Sequence, residues 1–163
     1  MVANLSKAVF FDRDGIINHD PGDYTYQLSE FHILDGVPET MKVLQDKGYK
    51  LVVITNQAGI ARGRYGHAEV TAIHQHLREV LAEYGVALTD ILYCPHHNTT
   101  TKCLCRKPGS LLVERALARH RIDPQQSLLV GDKPRDIDAA EKTGVTCRLV
   151  PVNTSITFLQ ALA

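Results

Sequence analysis

The sequence predicts an α/β fold in which an open, doubly wound parallel sheet has helices packed on both faces. Two observations carry this prediction. Short, continuous apolar runs recur along the chain, and segments with the three- and four-residue spacing of amphipathic helices lie between them. Continuous apolar runs are typical of strands that are covered on both faces, and an alternating strand–helix order implies right-handed crossovers between parallel strands.

The apolar runs are each of strand length, and the first of them is AVFF. They predict strands over residues 8–11, 51–54, 91–93, 128–130 and 147–150. No internal repeat interrupts the alternation. The chain is therefore expected to build one sheet from strands that follow one another through helices.

The segments between the strands predict helices. The most regular is 67–84, where Val70, Ile73 and Leu77 recur at helical spacing and Gly85 supplies a stop. An earlier helix is expected to begin near Pro38, and further helices are predicted near 109–121 and over 134–143.

Composition limits the classes of function that are open. The chain has 163 residues, 44% of them hydrophobic, which predicts a single domain over 1–163. Eighteen basic residues balance eighteen acidic ones, so that nucleic acid and anionic membrane surfaces are not expected partners. The N-terminus lacks the long apolar stretch of a signal peptide, and we expect a cytoplasmic monomer.

Polar side chains gather where the predicted strands end. In open parallel sheets, ligands bind beyond the carboxyl ends of the strands. The residues at these positions, or just before the third helix, are Asp12, Asp14, Thr55, Asn56, Arg106, Lys107, Asp132 and Asp136. Several carboxylates at one edge repel each other unless a cation lies between them, and Mg²⁺ is a hard ion that prefers such oxygens and also accepts phosphate.

This set of residues suits phosphoryl transfer. Lys107 and Thr55 offer a positive charge and a hydroxyl that can hold phosphoryl oxygens. An aspartate beside bound phosphate is a possible nucleophile, because an aspartyl-phosphate divides one difficult hydrolysis into two easier steps. Asp14, two residues after Asp12, is placed to manage protons, although an isolated D-x-D tripeptide is more often a solvated turn.

Four segments in order, FFDRDG, ITNQ, RKP and VGDKPRD, resemble the signature motifs of the haloacid dehalogenase (HAD) phosphatases. The resemblance spans residues 8 to about 150 and implies a Rossmann-like core. It implies that Asp12 is the nucleophile and that Asp14 protonates the leaving oxygen and then activates water. Thr55 and Lys107 would hold the phosphoryl group, and Asp132 would bind Mg²⁺ together with Asp12 and the backbone carbonyl of Asp14. Asp136 would support either Lys107 or the water shell of the metal.

A second cluster lies in the segment YCPHHNTTTKCLCRKP. Cys94, His96, Cys103 and Cys105 form two pairs that face one gap, and three thiolates with one imidazole make a closed tetrahedral set that zinc prefers in structural sites. His97 is an alternative to His96. Unmetallated cysteines or a disulfide are the other readings, and a cytoplasmic location disfavours the disulfide.

The cysteine cluster also resembles that of a HAD branch that contains heptose bisphosphate and histidinol-phosphate phosphatases. The string NQAGIARG resembles the heptose enzymes, which makes Asn56, Gln57 and Arg62 candidate substrate contacts. Arg106 and Lys133 add positive charge at the entrance, and a second phosphate would be recognised by such cations.

The resemblance therefore implies a Mg²⁺-dependent phosphatase that removes the 7-phosphate of D-glycero-D-manno-heptose 1,7-bisphosphate during nucleotide-heptose precursor synthesis, with zinc as a structural ion. Histidinol phosphate is the alternative substrate, because the loop between His96 and Cys103 is short. A zinc-loop binding module without catalysis is an alternative of another class. The cap is expected to be minimal, with residues 18–34 forming a flap beside the site.

Three further residues are expected to play no part in the chemistry. His74 and His76 lie on the long predicted helix, and we expect both at the surface. Cys147 lies in an apolar run and is expected in the core.

Overall fold

A five-stranded parallel sheet organises the protein, which is described here by a computed structural model over residues 5–162. The strands are β1 (Ala8–Phe11), β2 (Lys50–Asn56), β3 (Asp90–Cys94), β4 (Leu128–Gly131) and β5 (Thr146–Leu149), in the order β3–β2–β1–β4–β5. The helices are α1 (Val37–Asp46), α2 (His67–Glu83), α3 (Leu111–His120) and α4 (Pro134–Glu141). Short 3₁₀ helices occupy Leu28–Glu30, Pro124–Gln126 and Thr157–Ala161.

Helices cover both faces of the sheet, so that the predicted doubly wound α/β fold is confirmed. Successive residues of a strand point to opposite faces. On one face, Val9 and Phe11 of β1 pack with apolar residues of α1, α2 and the last 3₁₀ helix. On the other face, Ala8 and Phe10 pack with residues of α3 and α4.

The order of the strands reverses beside β1. The chain winds outward from β1 through β2 to β3, and then returns to place β4 on the other side of β1. The carboxyl ends of β1 and β4 therefore flank a topological switch point, where ligands bind in sheets of this kind.

Helix α2 follows the sequence prediction closely. Ile73, Leu77 and Leu81 are buried on one stripe. The backbone N–H of Gly66 donates to the Glu69 carboxylate at the amino end, and Gly85, with φ of 70°, lies just beyond the carboxyl end.

The edge strands differ from the prediction of coverage on both faces. Strand β1 is wholly buried, but residues of β3 are mostly half-buried and those of β5 are mostly exposed. Each edge strand pairs with one neighbour, and less of the helical layers reaches it. Strand β5 also begins one residue earlier than expected and ends at Leu149.

Within residues 5–162, no helix is long and apolar enough to cross a membrane. These residues contribute to one continuous sheet and its two helical layers. The predicted single domain also includes residues 1–4 and 163, which lie outside the described range.

Candidate active site

The carboxyl ends of three strands bring the predicted site residues together. Asp12 follows β1, Thr55 lies near the end of β2, and Asp132 follows β4. Carboxylate oxygens of Asp12, Asp132 and Asp136 all lie within 4.8 Å of one another. Residues that are more than a hundred positions apart in the chain thus form one acidic cluster at the switch point.

Lys107 lies inside this cluster and offsets its charge. Its ammonium group is 3.0 Å from Asp12 Oδ1 and 2.7 Å from Asp136 Oδ1, and it donates to the carbonyl of Ile54 at 2.9 Å. The ammonium therefore forms ion pairs with two carboxylates and a hydrogen bond with one carbonyl, at a side chain that is 1% exposed. Burial by itself would lower the pKa of Lys107, but the two carboxylates outweigh it and raise the pKa, which keeps the lysine charged.

Asp12 combines burial with an available oxygen. The backbone N–H of Arg13 and the ammonium of Lys107 both contact Oδ1, and Oδ2 has no hydrogen-bonding partner within residues 5–162. Burial raises the pKa of Asp12 to about 6, against the opposing charge of Lys107, and Asp136 contributes to the rise. A partly desolvated carboxylate with a free oxygen is suited to nucleophilic attack once a cation stabilises its charge.

Asp14 is held by three neighbours. Its Oδ1 accepts from Arg13 Nη2 at 2.7 Å and from Asn18 Nδ2 at 3.0 Å, and its Oδ2 accepts from Gln57 Nε2 at 3.1 Å. Burial would raise the pKa of Asp14, but the charge and hydrogen bonds of Arg13, with those of Asn18 and Gln57, lower it below the usual range. The observed arrangement therefore favours the ionised form.

Asn56 and Gln57 have positioning contacts that the sequence did not predict. Asn56 accepts from the backbone N–H of Lys107 at 3.0 Å and donates to the carbonyl of Lys107 at 3.2 Å. Gln57 donates to Thr55 Oγ1 at 3.0 Å and accepts from the hydroxyl of Tyr65 at 2.7 Å, in addition to its bond to Asp14. Gln57 is buried and does not line the cavity that opens over the site. Asn56 does line that cavity.

The acidic cluster fits a divalent cation. Asp132 has a side chain that is 1% exposed, and its Oδ1 is a buried atom without a hydrogen-bonding partner among the described residues. Its other oxygen contacts the ammonium of Lys133. A buried, unpaired carboxylate oxygen is costly, and a hard cation bound between Asp12 and Asp132 would satisfy it. Asp136 also has an oxygen in the cluster. However, its Oδ1 is in contact with the ammonium of Lys107, and its Oδ2 accepts from the backbone N–H of Lys133.

A cavity of about 760 Å³ opens over Asp14. Its charged lining includes two of the residues predicted as substrate contacts, Arg62 and Lys133, and also Arg64 and Arg135. Arg64 forms an ion pair with Asp23 of the flap at 3.2 Å. Arg106 does not line this cavity but an adjacent one of about 400 Å³.

The four predicted zinc ligands form one cluster, with ligand atoms within 4.8 Å of one another. Cys94 Sγ is 3.7 Å from Cys103 Sγ and 3.1 Å from Cys105 Sγ, and His96 Nδ1 is 3.3 Å from Cys105 Sγ. A tetrahedral zinc site with bonds of about 2.3 Å has sulfur atoms about 3.8 Å apart. The Cys94–Cys103 separation matches this value, whereas the Cys94–Cys105 separation is shorter. His97 is half-buried, its Nδ1 bonds to the hydroxyl of Thr99, and it does not belong to the cluster, which contains His96.

His74 corrects a sequence prediction, because it is 8% exposed rather than at the surface. Its Nε2 is 3.5 Å from Arg13 Nη1, and its ring contacts Tyr93 edge-on. Burial and the charge of Arg13 lower the pKa of His74 to about 3. His76 and Cys147 are both half-buried, so that neither expectation is met in full.

Arg13 is the main functional residue that sequence reasoning missed. It is fully buried between the two predicted catalytic aspartates, and it bonds to Asp14 and to the carbonyl of Thr25 in the flap. A buried arginine requires such partners. Its position between two motif aspartates was the available signal, but its burial depends on contacts with distant segments, which the sequence does not contain.

Comparisons with known proteins agree with this geometry. Residues 104–156 match the family model described as HAD-hydrolase-like. The chain is 44% identical over 150 residues to D-glycero-beta-D-manno-heptose-1,7-bisphosphate 7-phosphatase of Haemophilus ducreyi, covering 88% of this chain and 82% of the relative. It is 38% identical over 157 residues to D-glycero-alpha-D-manno-heptose-1,7-bisphosphate 7-phosphatase of Photorhabdus laumondii, covering 92% and 85%.

A solved structure is similar over most of its length. The crystal structure of D,D-heptose 1,7-bisphosphate phosphatase from B. bronchiseptica, complexed with magnesium and phosphate, superposes with a TM-score of 0.83 at 32% identity. The match covers 88% of this chain and 79% of the solved one.

Proposed function

Because the chain belongs to the HAD hydrolases, in the group of D-glycero-D-manno-heptose-1,7-bisphosphate 7-phosphatases, we propose that it hydrolyses the 7-phosphate of heptose 1,7-bisphosphate. The observation that carries this proposal is the acidic cluster at the switch point, in which a buried aspartate with one free oxygen lies beside Lys107. Both relatives are named heptose-1,7-bisphosphate 7-phosphatases, which favours this substrate over histidinol phosphate.

Asp12 is the nucleophile in the proposed first step. Its free Oδ2 forms a bond to the phosphorus while the bond between phosphorus and the sugar oxygen breaks. Asp14 gives a proton to the departing sugar oxygen. Because its contacts favour the ionised form in the free protein, this step requires Asp14 to take up that proton once the negatively charged phosphate is bound beside it. Lys107 and the hydroxyl of Thr55 stabilise negative charge on the transferring group.

Water completes the proposed reaction. Asp14, now ionised, accepts a proton from a water molecule as that water attacks the phosphorus of the aspartyl-phosphate. The bond from phosphorus to Asp12 breaks, which releases phosphate and restores the carboxylate. The contacts that Arg13 and Gln57 make to Asp14 favour the ionised form that this second step uses.

HAD phosphatases use Mg²⁺, and a solved neighbour contains it. Asp12, Asp132 and the backbone carbonyl of Asp14 are the groups proposed to hold the ion here. When bound, Mg²⁺ neutralises charge on the acidic cluster and on the phosphoryl oxygens. Asp136 is proposed to keep Lys107 in place, since it contacts the ammonium directly.

Zinc is proposed as a structural ion held by Cys94, His96, Cys103 and Cys105. The four ligands leave no open position for chemistry. The loop that they close continues directly into Arg106 and Lys107, and Arg106 donates to the carbonyl of His96 at 3.3 Å. Zinc would therefore order the segment that delivers Lys107 to Asp12. The monomeric state and the cytoplasmic location stay predictions.

The experiment is a phosphate-release assay with Mg²⁺ on three compounds: heptose 1,7-bisphosphate, histidinol phosphate and fructose 1,6-bisphosphate. We expect the highest kcat/KM for the heptose compound. Asp12→Asn should lower turnover at least about 10⁴-fold, whereas Asp46→Asn, at an exposed site on α1, should not change it. A preference for histidinol phosphate, or activity that survives in Asp12→Asn, would overturn the proposal.

A further inference from the structure

We infer that Arg135 is a specificity-determining residue, which binds the phosphate that the enzyme does not remove. The inference rests on the proposed function, because it requires a substrate with two phosphates. Arg135 lies within the motif segment VGDKPRD, but the sequence analysis assigned it no role and did not include it among the substrate contacts.

Arg135 occupies the boundary between two cavities. It lines the cavity of about 760 Å³ that contains Asp14, and it also lines the adjacent cavity of about 400 Å³ beside the zinc loop. A sugar phosphate with one end at Asp12 and Asp14 can extend past Arg135 toward the adjacent cavity. The side chain is therefore placed to contact the substrate away from the reacting phosphorus.

The adjacent cavity has the charge that an anion needs. No described residue that lines it carries a carboxylate, and its basic residues are Lys102, Arg106, Lys107 and Arg135. The ammonium of Lys107 is already bonded to Asp12 and Asp136. Three cationic side chains therefore remain without a carboxylate partner among the described residues.

Arg135 itself has an unsatisfied donor. Its Nε is buried and has no hydrogen-bonding partner within residues 5–162. A buried donor without an acceptor is costly, and a phosphate oxygen would satisfy it with a charge-assisted hydrogen bond. The guanidinium of arginine is also suited to phosphate because it can donate two parallel hydrogen bonds.

The position of Arg135 on α4 does not favour a positively charged side chain. It lies in the first turn of that helix, which begins at Pro134, and the helix dipole disfavours cations there. Arg64, by contrast, lines the larger cavity but is paired with Asp23. An unpaired arginine at an unfavourable helix position is explained by a ligand that it contacts.

The experiment compares two substrates of one sugar: heptose 1,7-bisphosphate and heptose 7-phosphate, which lacks the remote phosphate. Arg135→Gln should lower kcat/KM for the bisphosphate about 10- to 100-fold, mainly through a higher KM. Its kcat/KM for the monophosphate should stay within about twofold of the wild-type value. Arg135→Lys, which keeps the charge, should restore part of the loss.

Arg115→Gln is the matched control, since it removes an exposed arginine from α3 and should leave both substrates unaffected. Equal losses on both substrates, or no loss on the bisphosphate, would overturn the role of Arg135 while the proposed function stands. If the wild-type protein releases phosphate from neither compound, the proposed function fails and the inference fails with it.

Discussion

The ammonium group of Lys107 lies 2.7 Å from Asp136 Oδ1, in a pair of side chains that are at most 1% exposed. Asp136 also accepts from the backbone N–H of Lys133 at 3.0 Å, which ties the pair to the start of α4. Lys107, which follows the cysteine loop, is thus held in place by a carboxylate in the first turn of α4. Breaking a buried pair of this kind leaves a charge without compensation.

Asp136→Asn should therefore destabilise the protein. Because Asp12 still contacts Lys107, we expect a loss near the lower end of the range for broken buried pairs, about 3 kcal/mol in the free energy of unfolding. Asp138→Asn, at an exposed site on the same helix, should stay within about 0.5 kcal/mol. Urea denaturation measures both values, and equal stabilities for the two variants would refute the structural role of the pair.

His74 predicts a dependence of stability on pH. Its pKa is lowered from 6.5 to about 3 in the folded protein, so that the unfolded chain takes up a proton below pH 6.5 while the folded protein does not. The stability that depends on neutral His74 is present above pH 6.5 and is lost as the pH falls toward 3, by up to about 1.4 kcal/mol per pH unit.

His74→Gln removes the titrating group and leaves an amide that can accept from Arg13. We expect its unfolding free energy to fall less steeply than that of the wild type between pH 6.5 and 4, as measured by denaturation at several pH values. His76→Gln, on the same helix, is the control and should retain the wild-type slope. A wild-type slope in His74→Gln would contradict the assignment.

The cysteine cluster predicts a metal content. Elemental analysis should find about one equivalent of zinc in the purified protein, and Cys103→Ser should lose most of it, because three ligands bind zinc much more weakly than four. Cys147→Ser lies outside the cluster and should keep the zinc. Phosphate release should fall in Cys103→Ser, since the loop that carries Lys107 loses its order. Zinc-free wild-type protein would exclude the site.

Local sequence patterns determined the elements of this fold. The continuous apolar runs and the helical spacing from Val70 to Leu81 depend on residues that are near one another in the chain, and the structure confirms the strands and α2 with small changes at their ends. The motif segments also identified Asp12, Lys107 and Asp132, which the structure brings together. Each motif segment can be recognised from residues that are adjacent in the chain, without knowledge of contacts between distant segments.

Only the tertiary structure decided the environment of each side chain. The burial of His74 and Arg13, the unpaired Nε of Arg135 and the bonds of Gln57 to Asp14 and Thr55 arise where distant segments meet. The sequence determined which chemical groups stand at the strand ends, because secondary structure follows from local spacing. Their charge states and partners depend on desolvation and on distances through space, which a linear pattern does not contain.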